Sequence, residues 1–148
     1  MTAGSFPRPI AGLVIRYSYL WRREQLRGQE EGVKDRPCAV ILVTQPQGGS
    51  EIVTVLPITH SPPDDLQSAF EIPQATKKRL GLDSERSWVV LSEANRFVWP
   101  GPDLRFVQSG GHTNSAFGQL PYAFVEQIRL KFIDHIKARR AEIVSRTE

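Results

Sequence analysis

The sequence predicts an α+β domain, mainly β, in which a small, strongly curved antiparallel sheet or barrel carries short helices and a packed C-terminal helix. Apolar residues alternate with a period of two from Leu13 to Tyr19, which is typical of a strand with one buried face. Two apolar segments, Cys38–Val43 and Ile52–Ile58, flank a Gly-rich turn and favour an antiparallel hairpin. Helical spacing predicts a C-terminal helix after Pro121, with apolar residues Val125, Ile128, Phe132, Ile133 and Ile136.

The remaining predicted elements are shorter. Pro73–Leu80 is predicted to be a helix, because proline suits the first helical position and Gly81 suits the residue after the end. In chain order, the other predicted elements are a long polar loop over residues 21–35, strands at Phe70–Ile72, Trp88–Leu91 and Arg105–Val107, and a turn at Trp99–Asp103.

Composition indicates one domain without a membrane segment. The chain has 148 residues, of which 40% are hydrophobic and 24% charged, as in ordinary globular proteins. We therefore expect a single domain over residues 1–148, with an ordered core from about residue 12 to about residue 140. The longest apolar run, Cys38–Val43, is far shorter than the roughly 20 residues of a bilayer span. Cys38 is the single cysteine, which fits a reducing compartment, and we expect a cytoplasmic protein.

The charge permits contact with nucleic acid without requiring it. The formal net charge is +3 and the isoelectric point is about 9.3. A basic group at Lys137, Arg139 and Arg140 is typical of a helix C-terminus, where cations complement the helix dipole.

Several familiar catalytic sites are excluded by their missing motifs. The sequence contains no phosphate-binding glycine loop with its lysine, no CxxC pair, no HExxH and no GxSxG. Its three histidines are far apart, so we expect no metal site and no cofactor. Asp64 and Asp65 lie in a proline-rich turn and are interpreted as solvated surface, and Cys38 as a structural thiol.

Arg36 and Thr59 are the polar residues that the predicted hairpin brings together. Arg36 directly precedes the second strand and Thr59 directly follows the third. If these strands pair through the QPQGGS turn, both residues lie at one rim of the sheet. The alternative is structural, with Arg36 paired to Glu31 or Asp35 and Thr59 capping a turn.

Three segments, GVKDRPCAVILV, VLPITHSPP and VVLSEANRF, resemble the PemK/MazF toxins of type II toxin–antitoxin systems. In that family an Arg-Pro pair precedes a β-branched strand, a Thr or Ser follows the next strand, and a later strand carries an acidic or amide-rich segment. The resemblance extends from about Gly12 to Arg96, with a weaker similarity in FGQLPYAFVEQI. It implies an SH3-like barrel that forms a homodimer, cleaves single-stranded RNA at short sequences without a metal or cofactor, and is inhibited by a cognate antitoxin.

This resemblance implies catalytic roles for Arg36 and Thr59. Arg36 matches the family's catalytic arginine and would stabilise a phosphorane-like transition state. Thr59 matches its catalytic hydroxyl residue and would orient the scissile phosphate. His60 is a candidate for proton transfer because its ordinary pKa of about 6.5 suits that role. A purely structural histidine is the alternative, and Glu31 corresponds only loosely to the family's Gly-x-Glu stretch.

The long first loop supplies candidate RNA-binding residues. Trp21 beside Arg22 and Arg23 combines a stacking surface with phosphate-binding charge, as in single-strand binders, and Lys34 adds a further cation. For Trp21 the alternative is an exposed loop anchor. The loop is longer than is common in the family.

Glu93, Asn95 and Arg96 are further RNA-binding candidates. They follow an apolar strand and are predicted to read base edges, which single-stranded RNA leaves accessible. Asn95 and Arg96 serve a dimer interface in the alternative interpretation. For the whole chain, the competing hypothesis is a non-catalytic SH3-like module that binds RNA or a protein partner.

Overall fold

The computed structural model describes residues 7–28, 34–47, 49–105, 107–109, 112–114 and 116–146. Its strands are β1 (Leu13–Tyr17), β2 (Arg36–Thr44), β3 (Ile52–Thr59), β4 (Ala69–Glu71), β5 (Trp88–Val90), β6 (Glu93–Val98), β7 (Leu104–Arg105), β8 (Val107–Ser109), β9 (His112–Asn114), β10 (Ala116–Gln119) and β11 (Glu142–Ser145). Its α-helices are α1 (Arg22–Gln25), α2 (Gln74–Leu80) and α3 (Tyr122–Lys137). No helix in these described ranges is both long and apolar enough to span a bilayer.

The predicted hairpin forms the centre of the sheet. β2 and β3 pair antiparallel, from Cys38 opposite Pro57 to Thr44 opposite Ile52, with one register shift between Val40 and Leu42. β1 pairs antiparallel with the outer side of β2. The beginning of β3 pairs with β6 and its end pairs with β5, so that two short branches leave the same strand.

The sheet is mainly antiparallel and does not close into a barrel, so the prediction of a closed SH3-like barrel is not confirmed. In the described residues, the strand order runs β10-β1-β2-β3-β5-β4, with β6 and β11 branching from β3. The pair of β11 with β6 is parallel. The short hairpin β8–β9 forms a separate two-stranded sheet. The fold class, α+β with mainly β structure, is as predicted.

Apolar clusters cover both faces of the central strands. One cluster joins Val14, Ile41 and Leu56 to the buried face of α3, whose helical spacing was correctly predicted. The other contains Ile15, Tyr17, Cys38, Val40, Val55 and Phe97. Because side chains alternate along a strand, Arg36 shares the face of Cys38 and Val40, and Thr59 shares the face of Val53 and Val55. Both residues therefore belong to the second face.

Several elements differ from the sequence prediction. The predicted loop over residues 21–35 contains the short helix α1, and residues 29–33 of it, including Glu31, lie outside the described residues. β6 and β11 were not predicted, because EANRFV and EIVS carry no clear alternation and depend on pairing with distant strands. α2 was correctly predicted, and Gly81 ends it with a positive φ of 76°.

Candidate functional site

A cleft of about 500 Å³ lies where β2 begins and β3 ends. Both Arg36, the first residue of β2, and Thr59, the last residue of β3, line it. Continuing the pairing of Cys38 with Pro57 by two residues sets Arg36 opposite Thr59, and directly opposed residues share a face of the sheet. The hairpin therefore brings the two predicted catalytic residues together at one rim.

The Arg36 guanidinium has an unusual environment. Its Cζ lies 5.0 Å from the centroid of the Trp21 ring, within cation–π range. Its Nε is buried and has no hydrogen-bond acceptor among the described residues. Asp35 does not pair with it but forms ion pairs with Arg16, at 3.6 Å, and with Arg105, at 3.4 Å. Buried donors are normally paired, so an acceptor for this Nε is missing from the described residues.

Two further cations line the same cleft. Arg23 and Lys34 are exposed, and Arg23 Cζ lies 5.0 Å from the Trp21 centroid. Within the described ranges neither forms an ion pair closer than 4.0 Å with an acidic side chain. Arg22 differs, because it pairs with Glu142 at 3.4 Å and does not line the cleft. The wall beside Trp21 is therefore cationic.

The Thr59 hydroxyl is half-buried and forms one hydrogen bond with the described residues. Its Oγ1 accepts from the backbone N–H of Ser61 at 3.2 Å. Thr59 therefore does cap a turn, as the structural alternative predicted, and it also lines the cleft. Because the oxygen is the acceptor in this bond, the hydroxyl proton is left to donate to a ligand.

His60 also lines the cleft but directs its ring nitrogens toward carboxylates. Nε2 lies 2.8 Å from Asp83 and Nδ1 lies 3.9 Å from Glu85. These three exposed side chains bring possible metal-ligand atoms within 4.8 Å of one another. However, the Lys77 ammonium lies 2.7 Å from Asp83 and lowers the pKa of that carboxyl, chiefly through their hydrogen bond. We interpret the group as an ion-pair network.

The residues that were predicted to read RNA bases on β6 lie elsewhere. Glu93 accepts hydrogen bonds from the Tyr19 hydroxyl and the Arg22 backbone N–H, both at 3.0 Å, and burial raises its pKa. Asn95 is fully buried and has no exposed surface with which to contact a base. Arg96 is exposed but does not line the cleft.

The opposite wall of the cleft was missed by the sequence analysis. It consists of the SPPDD segment, in which Asp64 and Asp65 are exposed, as predicted, but face the same space as Arg36. Asp65 accepts a hydrogen bond from the backbone N–H of Gln67 at 2.9 Å. The sequence signalled only that the chain leaves the sheet at Pro62 and Pro63, because consecutive prolines cannot donate ladder hydrogen bonds.

Burial raises the pKa of the Cys38 thiol, so this residue is a protonated part of the second apolar cluster, as predicted. No family model, curated protein or solved structure matches the chain. The functional proposal therefore depends on the chemistry of the cleft itself, which combines two exposed cations and two exposed carboxylates with an arginine Nε and a threonine hydroxyl proton that have no acceptor among the described residues.

Proposed function

We propose that the chain is a toxin-like endoribonuclease that cleaves single-stranded RNA in the cleft, without a metal. The buried, unpaired Nε of Arg36 carries this proposal, because a guanidinium edge without an acid partner suits a phosphate oxygen. Thr59 lies across from it, and Arg23 and Lys34 extend the positive wall. The PemK/MazF resemblance adds the reaction class and the preference for single strands.

The proposed reaction is transfer of the phosphoryl group to the neighbouring 2′-hydroxyl. The 2′-oxygen attacks phosphorus, its proton passes to a base, and the bond to the 5′-oxygen breaks as that oxygen gains a proton. Arg36 stabilises the additional negative charge on the phosphoryl oxygens as it develops. Thr59 donates its free hydroxyl proton to the phosphate and fixes its orientation.

Proton transfer has two candidates on the cleft walls. His60 carries an imidazole, a common proton-transfer group, but its Nε2 lies 2.8 Å from Asp83. The Asp64 carboxylate faces the same space, and the structure gives it no hydrogen bond among the described residues. Substituting His60 by Asn and Asp64 by Asn separately, and recording the cleavage rate against pH, distinguishes them, because only the true base removes one limb of the profile.

The wider proposal follows from the resemblance. It comprises relatedness to the SH3-like PemK/MazF barrel, assembly as a homodimer, inhibition by a cognate antitoxin and a cytoplasmic location. The competing proposal is a non-catalytic module that binds RNA or a protein. The cationic wall formed by Arg23, Lys34 and Arg36 favours a nucleic-acid ligand for this module as well.

The decisive experiment incubates purified protein, freed of any bound partner by unfolding and refolding, with a long single-stranded RNA in excess EDTA. Arg36→Ala and Arg36→Lys should each reduce cleavage by about 100-fold or more. Alanine removes the positive charge, and lysine cannot direct two N–H donors to two phosphate oxygens at once, as a guanidinium does. Thr59→Ala should lose at least about 10-fold, and Thr59→Ser should retain most activity. Arg129→Ala, which removes a cation from α3 outside the cleft, is the matched control.

The outcomes separate the two proposals. Discrete products that are lost in the Arg36 variants support the ribonuclease. Intact RNA in every lane, with all proteins folded by circular dichroism, overturns it. In that case binding to the same RNA is measured against salt. Arg23→Ala should then flatten the slope of log K against log salt by about 0.7 if the module binds single strands.

A further inference from the structure

The backbone that carries Trp21 is held from both sides by side chains of β6. The Leu20 N–H donates to Asn95 Oδ1, and Asn95 Nδ2 donates back to the Leu20 carbonyl, both at 2.8 Å. Two residues later the Arg22 N–H donates to Glu93 Oε1 at 3.0 Å. Trp21 therefore lies between two backbone groups that are fixed by the same strand.

A second set of contacts holds Asn95. Arg146, which follows β11, donates from Nη1 to Asn95 Oδ1 at 3.0 Å and to the Ser18 carbonyl at 2.8 Å. Its Nη2 lies 2.9 Å from the Asp103 carboxylate. Glu93 in turn accepts from the Tyr19 hydroxyl at 3.0 Å, and the Tyr19 ring meets Trp21 edge-on at 5.0 Å. Polar groups from three other parts of the chain, β6, Asp103 and Arg146, thus surround one short segment.

Two cations of the cleft, Arg36 and Arg23, contact the Trp21 indole. The guanidinium groups of Arg36 and Arg23 both lie 5.0 Å from its centroid. The buried Arg36 Nε has no acceptor among the described residues, so Trp21 is the group that the structure shows in contact with this guanidinium. If Trp21 moved, Arg36 would lose this restraint and its unpaired edge would no longer have a single direction.

We infer that Glu93 and Asn95 are positioning residues, which hold the Leu20–Arg22 backbone so that the Trp21 indole orients the Arg36 guanidinium in the cleft. The expected change in oligonucleotide binding rests on the proposed function, whereas the expected structural changes do not. In this interpretation the two β6 residues act through Trp21, and neither touches the ligand.

The test compares Glu93→Ala with Glu93→Gln, because glutamine keeps the acceptor oxygen and alanine removes it. A second pair, Trp21→Leu and Trp21→Phe, removes or keeps the aromatic face. Ile128→Val, in the apolar cluster under α3 on the other face, serves as a control that lowers stability without touching the segment. Three quantities are measured: amide hydrogen exchange at Arg22, the NMR shift of the Arg36 Nε–H proton, and the affinity for a single-stranded DNA oligonucleotide that cannot be cleaved.

We expect Glu93→Ala to raise exchange at Arg22 by about 10-fold, the effect of losing one hydrogen bond to a charged acceptor. The Arg36 Nε–H should shift in Glu93→Ala and Trp21→Leu, since the ring moves or is lost. Glu93→Gln and Ile128→Val should remain near wild type, and Trp21→Phe should move the Arg36 proton less than Trp21→Leu does, because phenylalanine keeps an aromatic face. Affinity for the oligonucleotide should fall by about 5- to 10-fold in Glu93→Ala and in Trp21→Leu.

The inference is overturned if Glu93→Ala folds and leaves both the Arg22 exchange and the Arg36 proton unchanged, or if Glu93→Gln perturbs them equally. Failure of the proposed function has a different signature. In that case wild-type protein does not bind the oligonucleotide, but the exchange and the Arg36 shift still respond to Glu93→Ala.

Discussion

Arg36 and Arg146 are arginines with buried nitrogen atoms on the same side of the molecule, and they differ in what surrounds those atoms. Arg146 has a side chain that is 1% exposed and hydrogen-bonds the Tyr17 hydroxyl, the Ser18 carbonyl and Asn95, in addition to its ion pair with Asp103. Arg36 has a buried Nε without an acceptor in the described part of the chain, and its guanidinium lies over the Trp21 ring, with Cζ 5.0 Å from the ring centroid.

This difference distinguishes a buried cation that stabilises the fold, Arg146, from the cation of the candidate site, Arg36. Removing a charge from water costs several kcal/mol unless partners replace the solvent, which they do around Arg146. A buried donor left unpaired costs about 1–3 kcal/mol, and native proteins retain such a cost chiefly where function requires it. Lys77 resembles Arg146, because its buried ammonium contacts Asp83, Ser87 and the Glu85 carbonyl. Of these three cations, Arg36 is therefore the one whose unpaired donor agrees with the proposed ligand-binding role.

The largest loss of stability is expected when Arg146 is replaced. Arg146→Met leaves the buried Asp103 carboxylate and the Asn95 amide without their cation, and should reduce the free energy of unfolding by about 3–5 kcal/mol. Denaturant unfolding followed by circular dichroism measures it. Adding Asp103→Leu should recover part of the loss, because the uncompensated charge is then gone. A loss below about 1 kcal/mol would show that the pair does not stabilise the fold.

A smaller effect is expected at Lys77. Lys77→Met should cost about 1–3 kcal/mol, since the Ser87 hydroxyl is buried but the Asp83 side chain is 51% exposed and can be solvated. The loss should also depend on pH. Lys77 lowers the folded pKa of Asp83, so its contribution is present above the unfolded pKa of about 3.9 and is lost as pH falls through the folded value. The difference between wild type and variant should therefore narrow from pH 7 to pH 3, and an unchanged difference would contradict the assignment.

The smallest effect on stability is expected at Arg36. Arg36→Met removes an unpaired donor and a cation–π contact worth about 0.5–1 kcal/mol, so the two changes oppose each other. We expect the free energy of unfolding to fall by no more than about 1 kcal/mol while ligand binding is lost. The same denaturant experiment checks this beside Arg146→Met. A loss as large as that of Arg146→Met would place Arg36 among the structural cations.

The candidate site was predictable where it depends on one hairpin. Arg36 and Thr59 lie opposite each other because the strands on either side of the QPQGGS turn pair directly, and strand pairing across a short turn is a local property. The proline-rich segment after Thr59 was visible in the sequence as well. Its role as a cleft wall was not, because the path of a chain after it leaves a sheet depends on what it meets.

The roles of Glu93 and Asn95 were not predictable in this way. In the sequence they are polar residues after an apolar strand, which suits a surface that reads bases as well as a buried clamp. Their partners lie 71 to 75 positions earlier in the chain, at Tyr19, Leu20 and Arg22. Periodicity reports which face of a strand a residue occupies, and it does not report whether another segment covers that face.

The α+β class, the central β2–β3 hairpin, the terminal helix α3 and the placement of Arg36 beside Thr59 could all be predicted from the sequence. Each follows from apolar periodicity or turn chemistry within a short stretch of chain. Two features depend on the three-dimensional arrangement: the sheet of the described residues stays open, and Arg146, 51 positions beyond Asn95 and 129 beyond Tyr17, hydrogen-bonds both. By contrast, Arg36 Nε is left without an acceptor in the described residues. The physical reason is that hydrogen-bond satisfaction of a buried charge depends on groups from distant segments, whose meeting no local pattern encodes.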